Sequence, residues 1–156
     1  MNKKQLIVRL EQSWSALGES YAGLSKEMLQ EPGVTGGWAV KDVLAHVSWW
    51  EEEALKHLPH ILEGGRPPRY STLYGGIDAF NARMHDTWRG RSLAEVLTRL
   101  AASHLRLLEY LDSVPEGQLL GDTRFRLRLR LDTYGHYAIH AAAILEWRAR
   151  RGTTSG

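Results

Sequence analysis

Apolar residues recur every three or four positions through most of the chain, which is the spacing of amphipathic helices. The first such stripe begins near Lys3 and ends near Gln30, and it contains Leu6, Leu10, Trp14, Tyr21, Leu24 and Met28. A cluster of helix breakers follows it at residues 31–37. The pattern therefore predicts a first helix over residues 3–30.

A second apolar stripe follows Trp38 and contains Val43, His46, Val47, Trp50 and Ala54. Ala39 occupies the N-cap position, where Ser or Thr is preferred, but Asp42 in the first turn suits the helix dipole and can bond an open N–H. The pattern predicts a second helix that passes Pro59 and ends near Glu63, with His46 facing inward.

The connection over residues 64–90 is long for a compact bundle, and such connections are either disordered or functional. It contains Ile77, Phe80, Met84 and Trp88 at helical spacing. This spacing predicts a short helix that packs across the bundle. A connection of this length also allows the second and third main helices to run parallel.

A capping box at Ser92–Glu95 opens a third main helix that continues to about Pro115. Residues 123–131 then alternate strictly between polar and apolar, as a half-buried strand does, yet the sequence offers no partner strand. We therefore expect an extended lead-in that becomes the fourth helix by about Leu129. The prediction is an all-α four-helix bundle, with a single domain over 1–150 and a frayed tail over 151–156.

Composition narrows the chemistry that this bundle can carry. The chain of 156 residues fits one domain, and it has no cysteine, which excludes disulfides, thiolate metal sites and a cysteine nucleophile. The basic start has only a short apolar run, unlike a signal peptide, and no stretch is long enough to span a bilayer. We expect a soluble cytoplasmic protein with no membrane partner.

Charge is unevenly distributed although the net charge is only +2. Residues 121–156 carry seven arginines against three acids, whereas residues 41–63 carry five acids against two lysines. A nucleic-acid surface is expected to show interleaved aromatics or a reading motif, and neither is present. We therefore expect no nucleic-acid partner and attribute the asymmetry to complementary helix faces.

The candidate chemistry centres on His136 and His140, which are one turn apart and share the inward stripe of the fourth helix. His46 is the natural third ligand of a metal site, because three histidines from two helices leave open positions for water and substrate. His104 is a lesser candidate, and His57 lies roughly 16 Å along the axis from His46. The alternative is a set of hydrogen-bonded polar residues inside a bundle.

Several of these residues form a recognisable combination. Trp38, Asp42 and His46 fit W-x(3)-D-x(3)-H, and the crossover contributes Asn81, while residues 136–140 read HYAIH. The combination resembles the DinB superfamily, specifically its ClbS/DfsB-like branch. The resemblance implies an up-down-down-up bundle, often dimeric, in which His46, His136 and His140 bind a divalent ion, commonly nickel or zinc. It also implies hydrolytic detoxification of a reactive electrophile or thiol-dependent transfer.

The ligand set suggests a mechanism. Neutral imidazoles leave the full +2 charge on the ion, so bound water is acidified and becomes a nucleophile near neutral pH. Glu53, two turns after His46, and Tyr137, beside the triad, are candidate proton shuttles, although both residues also suit structural roles. Asp42 and Asp132, one turn before ligands, are placed either to orient imidazole N–H groups or to cap helices.

We therefore expect a metal-dependent hydrolase that acts on a small reactive molecule, in a homodimer. Metal-assisted transfer of a low-molecular-weight thiol is the alternative reaction. A bundle that binds metal or ligand without turnover is the alternative class of function.

Overall fold

The computed structural model describes residues 2–152, and all regular secondary structure in that range is helical. The helices are α1 (Lys3–Ser20), α2 (Lys26–Leu29), α3 (Val40–Leu62), α4 (Tyr70–Leu73), α5 (Ile77–Trp88), α6 (Leu93–Ser113), α7 (Glu116–Leu119), α8 (Arg124–Asp132) and α9 (Tyr134–Arg150). The predicted all-α class is confirmed. The predicted short helix of the crossover is α5, with the single turn α4 before it.

Helices α3 and α6 pack against each other and run in the same direction. Ser48 lies 3.2 Å from Ser103 through the hydroxyl oxygens, and Glu52 lies 3.5 Å from Arg106, so residue numbers rise together along both helices. The long crossover over residues 64–90 makes this parallel arrangement possible.

Helices α1 and α9 form the other parallel pair. Near the start of α9, Ser13 donates a hydrogen bond of 2.7 Å to the carbonyl oxygen of Tyr134. Near its end, Arg148 donates one of 3.1 Å to the carbonyl oxygen of Ser20. Residue numbers therefore rise in the same direction along α1 and α9, so these two helices are parallel.

The α8–α9 segment runs antiparallel to α3. Arg124 at the start of α8 bonds the carbonyl oxygen of Gly65, just beyond α3, while His136 on α9 meets His46 near the start of α3. With the two parallel pairs, this gives the predicted up-down-down-up order of the main helices.

The start and the length of α3 follow the sequence pattern. Asp42 accepts a hydrogen bond of 2.9 Å from the backbone N–H of Ala39, so the first-turn carboxylate compensates for the missing hydroxyl cap. The helix continues through Pro59 to Leu62. This fixes His46 within the second turn, on the buried side.

The prediction of one continuous first helix to Gln30 is wrong. α1 ends at Ser20, and Gly23 adopts a positive φ of 79°, a left-handed conformation that interrupts a helix. Ser25 then caps the short helix α2 by accepting a hydrogen bond from the backbone N–H of Met28. The apolar stripe continues across this break, which is why periodicity alone did not reveal it.

The expected extended lead-in before Leu129 is also wrong, because α8 begins at Arg124. Thr123 caps it, accepting a hydrogen bond of 3.0 Å from the backbone N–H of Arg126. Phe125 and Leu129 are buried, whereas Leu127 and Leu131 are 50% and 58% exposed. In a strict two-residue alternation, every second apolar residue is four positions from the next, as Phe125 is from Leu129. Residues at that spacing lie on one face of a helix, so this subset forms the buried face of α8.

A kink separates α8 from α9. Thr133 has φ −130° and ψ −97°, outside the helical region, and its hydroxyl donates a hydrogen bond to the carbonyl oxygen of Leu129. At Gly135 a Cβ atom would lie only 2.9 Å from the carbonyl oxygen of Arg130. Glycine therefore permits the close approach of the two helices just before His136.

No helix within residues 2–152 is long and apolar enough to cross a membrane. Of the tail that was expected to fray, Arg151 and Gly152 form a turn after α9. Residues 153–156 lie outside the described range.

Candidate metal centre

Three histidine side chains converge between the N-terminal two turns of α3 and those of α9. The Nε2 atom of His136 lies 2.9 Å from Nε2 of His46 and 2.9 Å from Nε2 of His140. Ligand nitrogens of all three lie within 4.8 Å of one another. The structure thus brings together the three residues that the sequence suggested as metal ligands.

The electrostatic surroundings keep these imidazoles neutral. Burial, with the neighbouring rings, lowers the pKa of His46 to about 2 and that of His136 to about 3, and burial lowers the pKa of His140 to about 4. Neutral imidazole is the form that binds a metal ion. The Nδ1 atoms of all three rings have no hydrogen-bond partner among the described residues.

The donor geometry fits a divalent ion of the nickel or zinc type. Nitrogen atoms 2.9 Å apart match neighbouring ligands at about 90° around an ion with bonds of about 2.1 Å. Three lone pairs aimed at one point repel one another unless a proton or a cation lies between them. Imidazole nitrogen is also a preferred ligand of zinc and nickel.

Tryptophan rings enclose His46. The ring centroids of Trp38 and Trp49 lie 5.2 Å and 5.1 Å from that of His46, both in edge-to-face arrangements. Asn81 on α5 accepts hydrogen bonds from the indole N–H groups of Trp49 and Trp50, at 3.2 Å and 2.9 Å. The crossover is thereby tethered to the wall of the histidine cluster, which explains the place of Asn81 in the motif.

A cavity of about 420 Å³ lies beside the triad, a volume that suits a small organic molecule. Its walls combine bundle residues with residues of the crossover: His46, Trp50, Tyr70, Ile77, Asn81, Arg128, Leu131, Asp132 and His136. Two of the three candidate ligands therefore face this cavity.

A polar network forms one wall of the cavity. Arg128 donates hydrogen bonds to Asp132 (2.5 Å) and to the hydroxyl of Tyr70 (2.9 Å), and that hydroxyl donates one of 2.8 Å to Glu53. Burial raises the pKa of Asp132 to about 6, against the opposing effect of the Arg128 charge. Glu53 is therefore connected to the cavity through Tyr70, and His57 lies 3.5 Å from the same carboxylate oxygen of Glu53 that Tyr70 bonds.

Tyr137 points away from the triad. Its hydroxyl donates a hydrogen bond of 2.5 Å to Glu51 on α3 and lies 3.3 Å from Nδ1 of His104 on α6. His104 in turn contacts Glu51 at 3.0 Å and Glu11 on α1 at 2.6 Å. This buried polar layer takes one residue from each main helix, namely Glu11, Glu51, His104 and Tyr137, and Glu11 forms its partly exposed edge.

Sequence reasoning missed most of the polar layer and of the cavity wall. Glu51 offered a signal, because it falls between Val47 and Ala54 within the apolar stripe of α3 and is fully buried. Asp42 and Asp132 bond Ala39 and Arg128 and make no hydrogen bond to a candidate ligand. Tyr70 and Arg128 had no sequence signal, since only the fold brings the crossover to α8.

Solved structures with the same fold are similar over almost the whole chain. The colibactin self-resistance protein ClbS, crystallised in complex with dsDNA, has a TM-score of 0.76 at 16% identity, covering 93% of this chain and 94% of its own. The protein described as sibling lethal factor precursor, DfsB, has a TM-score of 0.78 at 12% identity, covering 99% of both chains. An uncharacterised protein from Escherichia coli UTI89 has a TM-score of 0.78 at 12% identity, covering 99% and 96%.

The expectation that nucleic acid is not a partner is contradicted by the ClbS complex with dsDNA, because a protein of this same fold binds a duplex. That expectation rested on missing aromatics and reading motifs. Such features are required for reading a base sequence, whereas contact with the phosphate backbone needs only cationic groups.

Sequence comparison identifies the family. No curated protein matches this chain. The sequence profile of the DinB superfamily matches residues 9–143, which include all three convergent histidines. The chain therefore belongs to the DinB superfamily.

Proposed function

We propose that this protein is a divalent-metal-dependent enzyme that detoxifies a small reactive molecule, with hydrolysis as the reaction. The observation that carries the proposal is the convergence of three imidazole nitrogens at the edge of a cavity of about 420 Å³. The description of ClbS as a self-resistance protein supports a protective role.

His46, His136 and His140 would hold the ion, with nickel and zinc as the favoured metals. When bound, such an ion polarises an electrophile and makes water a nucleophile near neutral pH. His46 and His136 also line the cavity, so a substrate in it would lie against two of the ligands.

In the proposed reaction, residues of the cavity wall would accept and release the proton of the attacking water. Asp132 lines the cavity, and a carboxyl with a pKa of about 6 can accept and release a proton near neutrality. Arg128 holds Asp132 in place and also bonds Tyr70, which connects to Glu53. In this proposal Glu53 acts through Tyr70.

The acid–base role of Tyr137 remains a prediction. Its hydroxyl bond to Glu51 on α3 favours a structural role in holding α9 against α3. A Tyr137→Phe variant separates the roles, because only a proton-transfer role changes the pH profile of turnover at saturating metal.

The first experiment is metal uptake by protein purified without a histidine tag. We expect one equivalent of nickel or zinc per chain by elemental analysis, abolished by His46→Ala and retained by His60→Ala, a control at an exposed histidine. Failure of the wild type to take up a stoichiometric ion would overturn the metal site.

The second experiment separates the alternative reactions. The loaded protein is incubated with a panel of strained-ring electrophiles, with and without a low-molecular-weight thiol, and the products are analysed by mass spectrometry. Addition of water supports hydrolysis, and a thiol adduct that depends on the metal supports thiol transfer. Stoichiometric metal with neither product supports a binding bundle without turnover.

A homodimer is part of the proposal. Ile7, Val8 and Leu108 line an open groove between α1 and α6, which offers apolar surface for a second copy. Sedimentation equilibrium tests this directly, and a monomer at micromolar concentration would contradict it.

Binding of duplex DNA is a second candidate function. It is favoured by the complex of ClbS with dsDNA, together with the seven arginines among residues 121–156. Fluorescence anisotropy with a labelled duplex tests it. We expect affinity that falls steeply as salt rises, and an absence of binding at low salt would exclude this function.

A further inference from the structure

The arginines of α8 divide between two faces of the helix. Arg128 faces the cavity beside the triad, and Arg124 bonds the carbonyl oxygens of Gly64 and Gly65 beyond α3. Arg126 and Arg130 alternate with these two and turn toward α1. The two-residue repeat of the sequence thus supplies two separate pairs of cations.

Arg126 and Arg130 line a second cavity, of about 280 Å³, together with Arg9 of α1. The remaining walls are Gly121, Asp122, Thr123, Leu127 and Tyr134. None of these residues lines the cavity beside the triad. The second cavity is therefore a separate concave surface between α1 and the kinked α8–α9 segment.

The three guanidinium groups of this cavity lack anionic partners. Among residues 2–152, other arginines form ion pairs with carboxylates, namely Arg89, Arg91, Arg99, Arg106, Arg128 and Arg151. Within the same range, Arg9, Arg126 and Arg130 have no carboxylate at ion-pair distance. Their positive charge is thus available to a ligand.

Two of these arginines are already held by neighbouring groups. The guanidinium of Arg9 lies 5.6 Å over the ring centroid of Tyr134, and that of Arg126 donates a hydrogen bond of 3.3 Å to the carbonyl oxygen of Gly121. Such contacts reduce the entropy lost when a ligand is bound. Asp122 is the one acid of the lining, so three arginines minus one aspartate leave a local charge of +2.

We propose that Arg9, Arg126 and Arg130 form a phosphate-binding site. Several guanidinium groups around one concavity match phosphate, because each planar fork donates two parallel hydrogen bonds to its oxygens. The phosphate belongs either to a small anion or to the backbone of duplex DNA. The site is independent of the metal centre and remains if the metal proposal fails.

The experiment compares two double variants of equal charge change. Arg126→Gln with Arg130→Gln alters the site, and Arg66→Gln with Arg69→Gln, on the exposed start of the crossover, is the matched control. Each protein is titrated at constant ionic strength with inorganic phosphate, against chloride, by calorimetry. A labelled duplex is titrated in parallel at several salt concentrations, and circular dichroism verifies folding.

We expect the site variant to bind phosphate at least tenfold more weakly than the wild type, while the control changes less than twofold. If duplex affinity falls too, with a salt dependence reduced by about two phosphate contacts, the ligand is backbone phosphate. If only inorganic phosphate binding falls, the ligand is a small anion.

Equal losses in both double variants would overturn the proposal, because they would mean binding by diffuse surface charge. Calorimetric heats that chloride reproduces in the wild type would overturn it as well. Arg9→Gln provides a further check on α1, where we expect a severalfold loss of phosphate affinity without a change of fold.

Discussion

Two histidine clusters contact adjacent faces of α9 and differ in electrostatic character. In the triad, His46, His136 and His140 face one another, and within residues 2–152 no carboxylate bonds to any of them. In the buried polar layer, His104 lies between the carboxylates of Glu11 and Glu51. The surroundings therefore favour the neutral form of the side chain in one place and the protonated form in the other.

Neighbouring groups account for the difference more than burial does. Burial opposes the charged form of His104 as well, but the Glu51 and Glu11 carboxylates outweigh it and raise the pKa of that histidine. Trp14 stacks on the ring at 3.7 Å between centroids, which favours a cation. The triad presents neutral imidazoles to one another, whereas the carboxylates around His104 favour protonation of its ring.

The largest expected effect is on metal affinity. His46→Ala and His136→Ala should each weaken nickel or zinc binding at least thousandfold, which is about 4 kcal/mol. His104→Gln should change it less than threefold, because its ring bonds the carboxylates of Glu11 and Glu51 and no triad histidine. Calorimetry measures both, and a large loss in His104→Gln would break the distinction between the clusters.

The next effect is on stability of the polar layer. Glu51→Ala removes a fully buried carboxylate that bonds both His104 and Tyr137, which should lower the free energy of unfolding by about 3 kcal/mol. Glu52→Ala is the matched control, since its pair with Arg106 is partly exposed and worth at most about 1 kcal/mol. Urea unfolding of the metal-free protein gives both values. Equal losses would mean that the layer adds no stability.

The pH dependence of stability should differ in sign between the clusters. Unfolded histidines bind protons below a pKa of about 6.5, whereas the folded triad stays neutral to a pKa of about 4 or lower. The neutral triad therefore contributes stability to the metal-free protein above pH 6.5, and this contribution is lost as the pH falls. His140→Leu should reduce the loss between pH 7 and pH 5 by about 2 kcal/mol, measured by urea unfolding.

The contribution of His104 to the pH dependence of stability should have the opposite sign to that of the triad. Its raised pKa gives stability that is fully present below pH 6.5 and is lost as pH rises through its folded pKa. The difference between wild type and His104→Gln should therefore shrink on raising the pH. A difference that grows with pH would contradict the assignment of a charged ring.

The smallest expected effect concerns the kink that positions both clusters. Gly135→Ala would place a Cβ atom 2.9 Å from the carbonyl oxygen of Arg130, so α9 must shift at a cost of about 1 kcal/mol. Gly18→Ala in α1, where nothing lies within 4 Å, should instead stabilise by about 0.5 kcal/mol. Thermal unfolding separates the two, and stabilisation by both would mean that the kink tolerates a side chain.

Local periodicity predicted the helices that carry the triad. Val43, His46 and Val47 share one buried face of α3, and the inward position of His46 was therefore readable from the sequence. The spacing of His136 and His140 likewise placed both rings on one face of α9. A metal-site hypothesis needed only these two faces to meet.

Contacts between distant segments were not readable in the same way. Glu51 meets His104 across 53 positions and Tyr137 across 86, and neither distance produces a periodic pattern. The wall of the cavity could not be predicted from periodicity either, since Tyr70 and Arg128 are 58 positions apart. Only the packing of the helices brings such groups together.

The parallel course of α3 and α6 affects how the site can evolve. The connection between them must return along the bundle, and it supplies Tyr70, Ile77 and Asn81 to the cavity, while the three candidate ligand histidines belong to the bundle itself. Mutations in the crossover can therefore remodel what the cavity accepts without disturbing the ligands, provided that the Asn81 anchor is kept. Under the proposed function, selection on substrate preference and selection on metal chemistry would operate on different segments of one gene.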